Sequence, residues 1–182
     1  MASKIKVDQI QTADGTGTIA LQNQLSGMTT ASLPALGSAQ MPTGSVLQVV
    51  QSGSISRTTF TSTNTWVDTD NELSITPSST NSKILITAYQ GSRLDGDTPI
   101  RGSFRLLRGS TAVWNTSGLS EQFQVRNAAN EFNQSSTISY LDSPSTTSSV
   151  TYKIQGWLTT GTNFIAWESH YGANMILMEI AG

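Results

Sequence analysis

One histidine, twelve carboxylates, ten basic groups and four tryptophans are the main side chains in this 182-residue chain that could bind or transform a ligand. His170 stands alone, so a histidine-based metal cluster would need copies of it gathered on an assembly axis. Lying between two expected strands, it reads as a solvated loop residue. Nucleophilic catalysis needs a base beside a serine, and no Gly-x-Ser-x-Gly elbow occurs. Gly-rich phosphate loops are absent as well. No catalytic residue, cofactor or metal ligand is therefore assigned, and the expectation is a protein that is not an enzyme.

The acidic residues form two groups. Asp68, Asp70 and Glu72 alternate, so an extended backbone would carry all three on one face. Asp95-Gly96-Asp97 is the second group. Paired carboxylates can cleave sugars, and hard oxygen ligands can hold calcium. Both groups fall where loops are expected, and acidic residues two apart are common in solvated turns. Plain surface turns are the favoured reading over a calcium site.

Arg93, Arg101, Arg105 and Arg108 put four of the ten basic groups into 16 residues. On a strand, Arg101, Ser103 and Arg105 share one face, with Phe104 and Leu106 on the other. Two readings stay open: a polar patch that recognises sugar or an anionic partner, and a solvated face with salt bridges across subunits to Asp95 or Asp97. Trp157 and Trp167 lie in apolar strands and read as core rings, which bury large areas. Trp114, ending a hairpin beside Asn115, is the ring expected to be exposed. Arg101, Arg105 and Trp114 are accordingly the candidate surface-recognition residues.

Composition limits what can position these groups. Hydrophobic residues make up 36 % of the chain, enough for a core, while charged residues supply only 12 %, against a usual share of about 25 %. Ser and Thr number 51, so hydroxyls carry much of the solubility. Thr favours extended backbone and Ser favours turns, which together point to an all-β protein. A net charge of -2 offers no basic field for nucleic acid or an anionic membrane. No apolar run approaches the roughly 20 residues needed to span a bilayer, and the amino-terminal residues lack a signal peptide's apolar core. Synthesis in the cytoplasm without membrane insertion is expected. The absence of cysteine excludes disulfides and thiolate metal sites.

Residues 15–56 contain no Asp, Glu, Lys or Arg, a run of 42. A flexible linker could look like this, but Ile19, Leu21, Leu25, Met28, Leu33 and Leu36 are too apolar for a free one. A segment running beside copies of itself near a symmetry axis sheds charge, because like charges on identical chains fall close together. Residues 1–44 are read as an attachment and stem segment, with short strands near 5–9 and 18–21 and breaks at Pro34 and Pro42. Residues 45–182 are read as one β-domain. Strands are expected at 46–51, 58–61, 73–76, 83–90, 103–107, 111–114, 122–126, 137–141, 150–158, 163–167 and 174–180, with Arg108-Gly109-Ser110 as a hairpin. Short strands at this spacing suggest an antiparallel β-sandwich or jelly roll. The last strand is too apolar for an edge and belongs in the middle of a sheet. Its alternation sets Ile176 and Met178 on one face and Met175, Leu177 and Glu179 on the other. One face is then covered by the domain itself and the other by neighbouring subunits, leaving Glu179 to reach solvent or an arginine.

The opening SKIKVDQIQTADGTGTIALQNQL and the lead-in MPTGSVLQVVQ resemble small fibre and virion proteins of tailed phages, notably of the cyanophage kind. TWVDT, LSITPSSTNSKILIT, RLLRGSTAVW, YLDSPSTTSSVTYKIQ and NMILMEIAG extend the resemblance over nearly the whole chain. The resemblance implies a homotrimer of jelly-roll domains of tumour-necrosis-factor-like shape, with an amino-terminal segment docking on other virion proteins. It supplies no catalytic motif. It implies a place on the tail or capsid surface of a virion, and host-surface glycans become a candidate partner. The chain has no long shaft repeat, so a compact knob or a decoration is expected rather than a long fibre. A short tail fibre or knob that binds the host surface is the leading expectation, and a capsid or tail decoration without a receptor role is the alternative.

Overall fold

The computed structural model of the chain describes residues 37, 40–96, 99–115, 123–125, 131–167 and 172–182. The strands expected near 5–9 and 18–21, and with them His170 and Asp97, lie outside the described residues. Residues 37–182 form one compact unit. Alternation of β-branched or aromatic residues with polar ones produces eleven strands among its described residues, as a half-buried pleated surface favours. They are β1 (Val46–Gln51), β2 (Thr58–Phe60), β3 (Trp66–Ile75), β4 (Lys83–Asp95), β5 (Ile100–Arg108) and β6 (Thr111–Trp114), then β7 (Phe123–Val125), β8 (Glu131–Asp142), β9 (Val150–Thr160), β10 (Asn163–Trp167) and β11 (Ala173–Ile180). The described residues contain no α-helix, and the protein is all-β.

Among the described residues these strands pair antiparallel throughout, and Thr63 adds one isolated parallel bridge to Leu158. One sheet runs β1-β11-β4-β10-β2, with β8 on the free side of β4, and the other runs β3-β9-β5-β6, with β7 also on β5. The 13-residue β4 is the spine of the first sheet. β8 pairs along its whole length, while the opposite edge is shared by β11 and β10. β11 therefore lies between β1 and β4, in the interior of its sheet as its apolar sequence requires. At the hairpin joining β5 to β6, Gly109 adopts φ 58, a left-handed conformation suited to glycine.

One apolar cluster is built from both sheets. Ile84, Ile86 and Leu94 of β4, Ile138 of β8 and Met175 and Leu177 of β11 join Phe104 and Leu106 of β5 and Tyr152, Ile154 and Leu158 of β9. Each such side chain, fully buried, contributes roughly 1.5–3 kcal/mol as an upper figure. Phe164 meets Phe60 edge-on at 4.7 Å between ring centroids and Phe104 at 5.2 Å. Gly156 of β9 faces this aromatic group. A Cβ there would stand 2.9 Å from Phe164 and closer still to Phe60. The rings fit because that position has no side chain.

Among the described residues two carboxylates are buried. Asp142 at the end of β8 accepts hydrogen bonds from the Tyr152 hydroxyl at 2.7 Å and from Arg108 at 2.9 Å and 3.0 Å. This cluster links the two sheets. Burial, followed by the bond to Asp142, pushes the Tyr152 phenol above its usual range. Glu179 is the second, and here the sequence expectation is corrected. It lies on the Met175 and Leu177 face as alternation required, but it is 1 % exposed and reaches neither solvent nor an arginine. Its carboxylate instead accepts from Gln48 Nε2 at 2.6 Å, Ser78 N and Ser78 Oγ at 2.7 Å, and Ser82 Oγ at 2.6 Å. The loop after β3 folds over the end of β11 and supplies both serines.

Several expected strands were too short. Residues 65–68 were expected outside a strand, yet 66–75 is one strand, in which a register shift between Asp68 and Glu72 accommodates extra residues. β4 and β8 also extend past their expected limits, because each supplies the other's hydrogen-bond partners.

Two substitutions test this packing. Burial raises the Glu179 pKa, but the bonds from Ser82, Ser78 and Gln48 outweigh it and hold the group below its ordinary 4.5. A depressed carboxylate stabilises the fold fully above its unfolded pKa and loses that contribution as pH falls through the folded value. Glu179→Gln should therefore cost about 1.5–3 kcal/mol at pH 7 by denaturant titration, and the gap to wild type should close as pH drops below the ordinary glutamate range. Gly156→Ala should cost about 1–3 kcal/mol through overpacking, read as a lower melting temperature with the β spectrum retained.

Candidate surface-recognition site

β9 is flanked by β3 and β5, and its alternation decides what the outer face of this sheet presents. Tyr152, Ile154, Gly156 and Leu158 are buried in the core, so Lys153, Gln155, Trp157 and Thr159 point outward. Pairing then assembles two rows across three strands: Trp66, Trp157 and Ser103 in one, and Asp68, Gln155 and Arg105 in the next. Neighbouring strands lie about 4.8 Å apart, so the polar row offers side chains at that interval, while Ser103 of the first row is itself buried.

The polar row is a continuous hydrogen-bonded chain. Arg105 Nε donates to Gln155 Oε1 at 2.7 Å, and Gln155 Nε2 donates to Asp68 Oδ1. Lys153 Nζ donates to the other oxygen, Asp68 Oδ2, at 2.6 Å. The Arg105 guanidinium reaches across β9 and lies 4.3 Å from the centroid of the Trp66 ring. Trp66 and Trp157 meet at 5.1 Å between ring centroids and tilt by 50°. Trp157 Nε1 donates to Thr159 Oγ1 at 3.1 Å.

Electrostatics follow from this geometry. Burial pushes the Asp68 carboxyl up, but hydrogen bonds from Lys153 and Gln155 outweigh it and hold the group below its usual range. Partial burial lowers the Arg105 pKa, and the nearby Asp68 charge opposes that shift. An arginine stays charged regardless. The result is a rigid arrangement of flat rings and planar polar groups on a sheet face.

Of the candidate residues, Arg101 and Arg105 both lie on this outer face, and Arg105 is central to the site. Trp114 does not join them. It pairs with Leu106, which faces the core, so its ring is half-buried against the core cluster rather than exposed. Trp157 is corrected in the opposite direction: expected in the core, it lies on the outer face. The shared parity of Lys153, Gln155 and Trp157 was the signal. Trp66, one of the four rings weighed from the sequence, was given no place there, and it lies on this outer face opposite Trp157. Arg93 pairs with Asp95 at 2.6 Å and with Glu131 at 3.3 Å, and Arg108 pairs with Asp142, so these arginines have partners within the chain. Asp68, Asp70 and Glu72 lie on β3, not in a loop, and Asp70 accepts a bond from Ser56 N at 2.6 Å. Among the described residues, no group of three or more His, Cys, Asp or Glu is placed to hold a metal ion.

No protein-family model matches the chain, and no curated protein is similar to it at a significant level.

A double-mutant cycle of Asp68→Ala and Lys153→Ala should return a coupling below about 1 kcal/mol at pH 7, as for exposed ion pairs. Because the Asp68 pKa is depressed, that coupling should persist at neutral pH and fade as pH drops through the folded value. Added salt should weaken it too. A coupling of several kcal/mol would make the row a stability element rather than a recognition surface.

Proposed function

We propose that the chain is a non-enzymatic structural protein of a tailed-phage particle: a homotrimer of jelly-roll β-sandwiches forming a short tail fibre or knob that binds the host cell surface. On this reading residues 1–44 dock on other virion proteins. The observation that carries it is a row of apolar side chains on the outer face of the first sheet. Val49 pairs with Met178, Met178 with Leu85 and Leu85 with Leu141, across β1, β11, β4 and β8. Among the described residues the large hydrophobic side chains that stay exposed are Val46 at 51 %, Val49 at 55 % and Leu141 at 50 %. All three belong to this one sheet.

A contiguous apolar face on a lone domain favours association. Ile176 and Met178 of the central strand β11 point to it while Met175 and Leu177 fill the domain's own core, so both faces of one strand need cover. The charge-free run of residues 15–56 suits neighbouring identical chains around an axis, and the resemblance to trimeric virion proteins gives the number three. The orders β1-β11-β4-β8 and β3-β9-β5-β6 fit the eight-stranded jelly roll, in which strands from both halves of the chain interleave.

Light scattering on the full chain should give three times its 19.4 kDa. The double substitution Val49→Asp with Leu141→Asp should reduce the mass to one chain while keeping a cooperative melt. A wild-type chain that stays monomeric at micromolar concentration would overturn the reading.

A further inference from the structure

We infer that the outer face of the β3-β9-β5 sheet binds a neutral saccharide, with the Trp66 and Trp157 rings as the apolar platform and the Asp68, Gln155 and Arg105 row as the hydrogen-bonding edge. The inference rests on the proposed host-surface role and names the chemistry of the partner. A pyranose ring has an apolar C–H face and a rim of hydroxyls. It is matched by an aromatic ring with planar donors and acceptors beside it. Here the ring centroids stand 5.1 Å apart with the planes tilted by 50°, and Arg105 lies over the Trp66 ring. The polar row lies in the adjacent register, so the two rings form an angled apolar wall beside the polar edge.

The hydrogen bonds within the row fix its planes in advance. Gln155 is held from both sides, by Arg105 and by Asp68, and Lys153 anchors the far oxygen of Asp68. Its orientation therefore costs little further ordering when a ligand arrives. Each carboxylate and amide oxygen in the row keeps lone-pair capacity for a hydroxyl donor beyond its present bond. Three planar groups at the strand interval of about 4.8 Å suit successive sugar units of a chain rather than a single compact molecule.

Charge chooses the class of saccharide. The outer positions of these three strands carry Asp68, Asp70 and Glu72 against Arg101, Arg105 and Lys153, three of each sign. A balanced face has no field to attract a polyanion, which separates it from a nucleic-acid or acidic-polysaccharide surface. The rings lie on a different sheet from the apolar row proposed for self-association, so both surfaces can be occupied together.

The test uses the full-length protein on a printed array of neutral and acidic oligosaccharides, with the variants Asp68→Asn and Trp66→Leu. Wild type should bind neutral oligosaccharides, and each variant should weaken binding at least tenfold with its melting curve preserved. If Trp66→Leu fails to fold, Asp68→Asn alone decides. Binding by wild type that neither variant weakens overturns the site. Binding to acidic sugars only overturns the neutral assignment, and no binding to any printed sugar overturns the inference as a whole. Mass measured on the same samples reads assembly separately, so a monomer counts against the proposed function and not against the site.

Discussion

Glu179 draws its hydrogen bonds from β1, through Gln48, and from the loop that follows β3, through Ser78 and Ser82. A carboxylate removed from water costs several kcal/mol unless its lone pairs are filled. That requirement fixes three segments against one another at the end of β11. It also explains the position of the loop, whose serines would otherwise have no reason to fold inward. With β11 held there, Met175 and Leu177 sit under the first sheet, and β4 can use its remaining edge for β10. β4 in turn sets the register of the whole sheet.

The two sheets present outer faces of different chemistry. The first offers Val49, Met178, Leu85 and Leu141 in a line, with the charges of Arg93, Asp95 and Glu131 paired with one another at the far end of β4. The second offers rings and balanced charges held by hydrogen bonds. Apolar rows are suited to permanent burial, because their gain is non-directional and scales with area. Ordered polar rows are suited to reversible contact, because each bond exchanges with water at small net cost. On the proposed reading, one sheet faces the assembly and the other faces outward.

Much of the fold was legible in the sequence because strand period and turn residues are local. The hairpin at Gly109 follows from a turn that needs a left-handed residue, and the partition of β11 into two faces follows from alternation alone. What escaped was set by distant partners. Glu179 looked solvent-directed because a polar residue beside the end of a strand usually is, and nothing local revealed a loop about 100 residues upstream folding over it. Trp66 was assigned outside a strand because pairing with β9, rather than its own neighbours, makes it extended. Trp114 looked exposed from its place at the end of a hairpin, yet its cross-strand partner Leu106 turns it inward. Arg101 and Arg105 were assigned to the correct face, but the rings and the amide that make it a site come from β3 and β9.

The placement of β11 has a kinetic consequence. Gln48 and Glu179 are 131 residues apart, and the paired residues of β4 and β11 are 83 apart at Gln90 and Ala173 and 97 apart at Lys83 and Ile180. No hairpin can seed the β1-β11-β4 sheet, so its formation waits on closing very long loops before any contact rewards the closure. Topologies of this kind fold in roughly milliseconds to seconds. During that interval Met175, Ile176, Leu177 and Met178 form an uncovered apolar strand with both edges open, the kind of segment that pairs with other unfinished chains. A chain of this design gains from slow release and dilute synthesis, since its productive partner strands and its wrong ones present the same backbone.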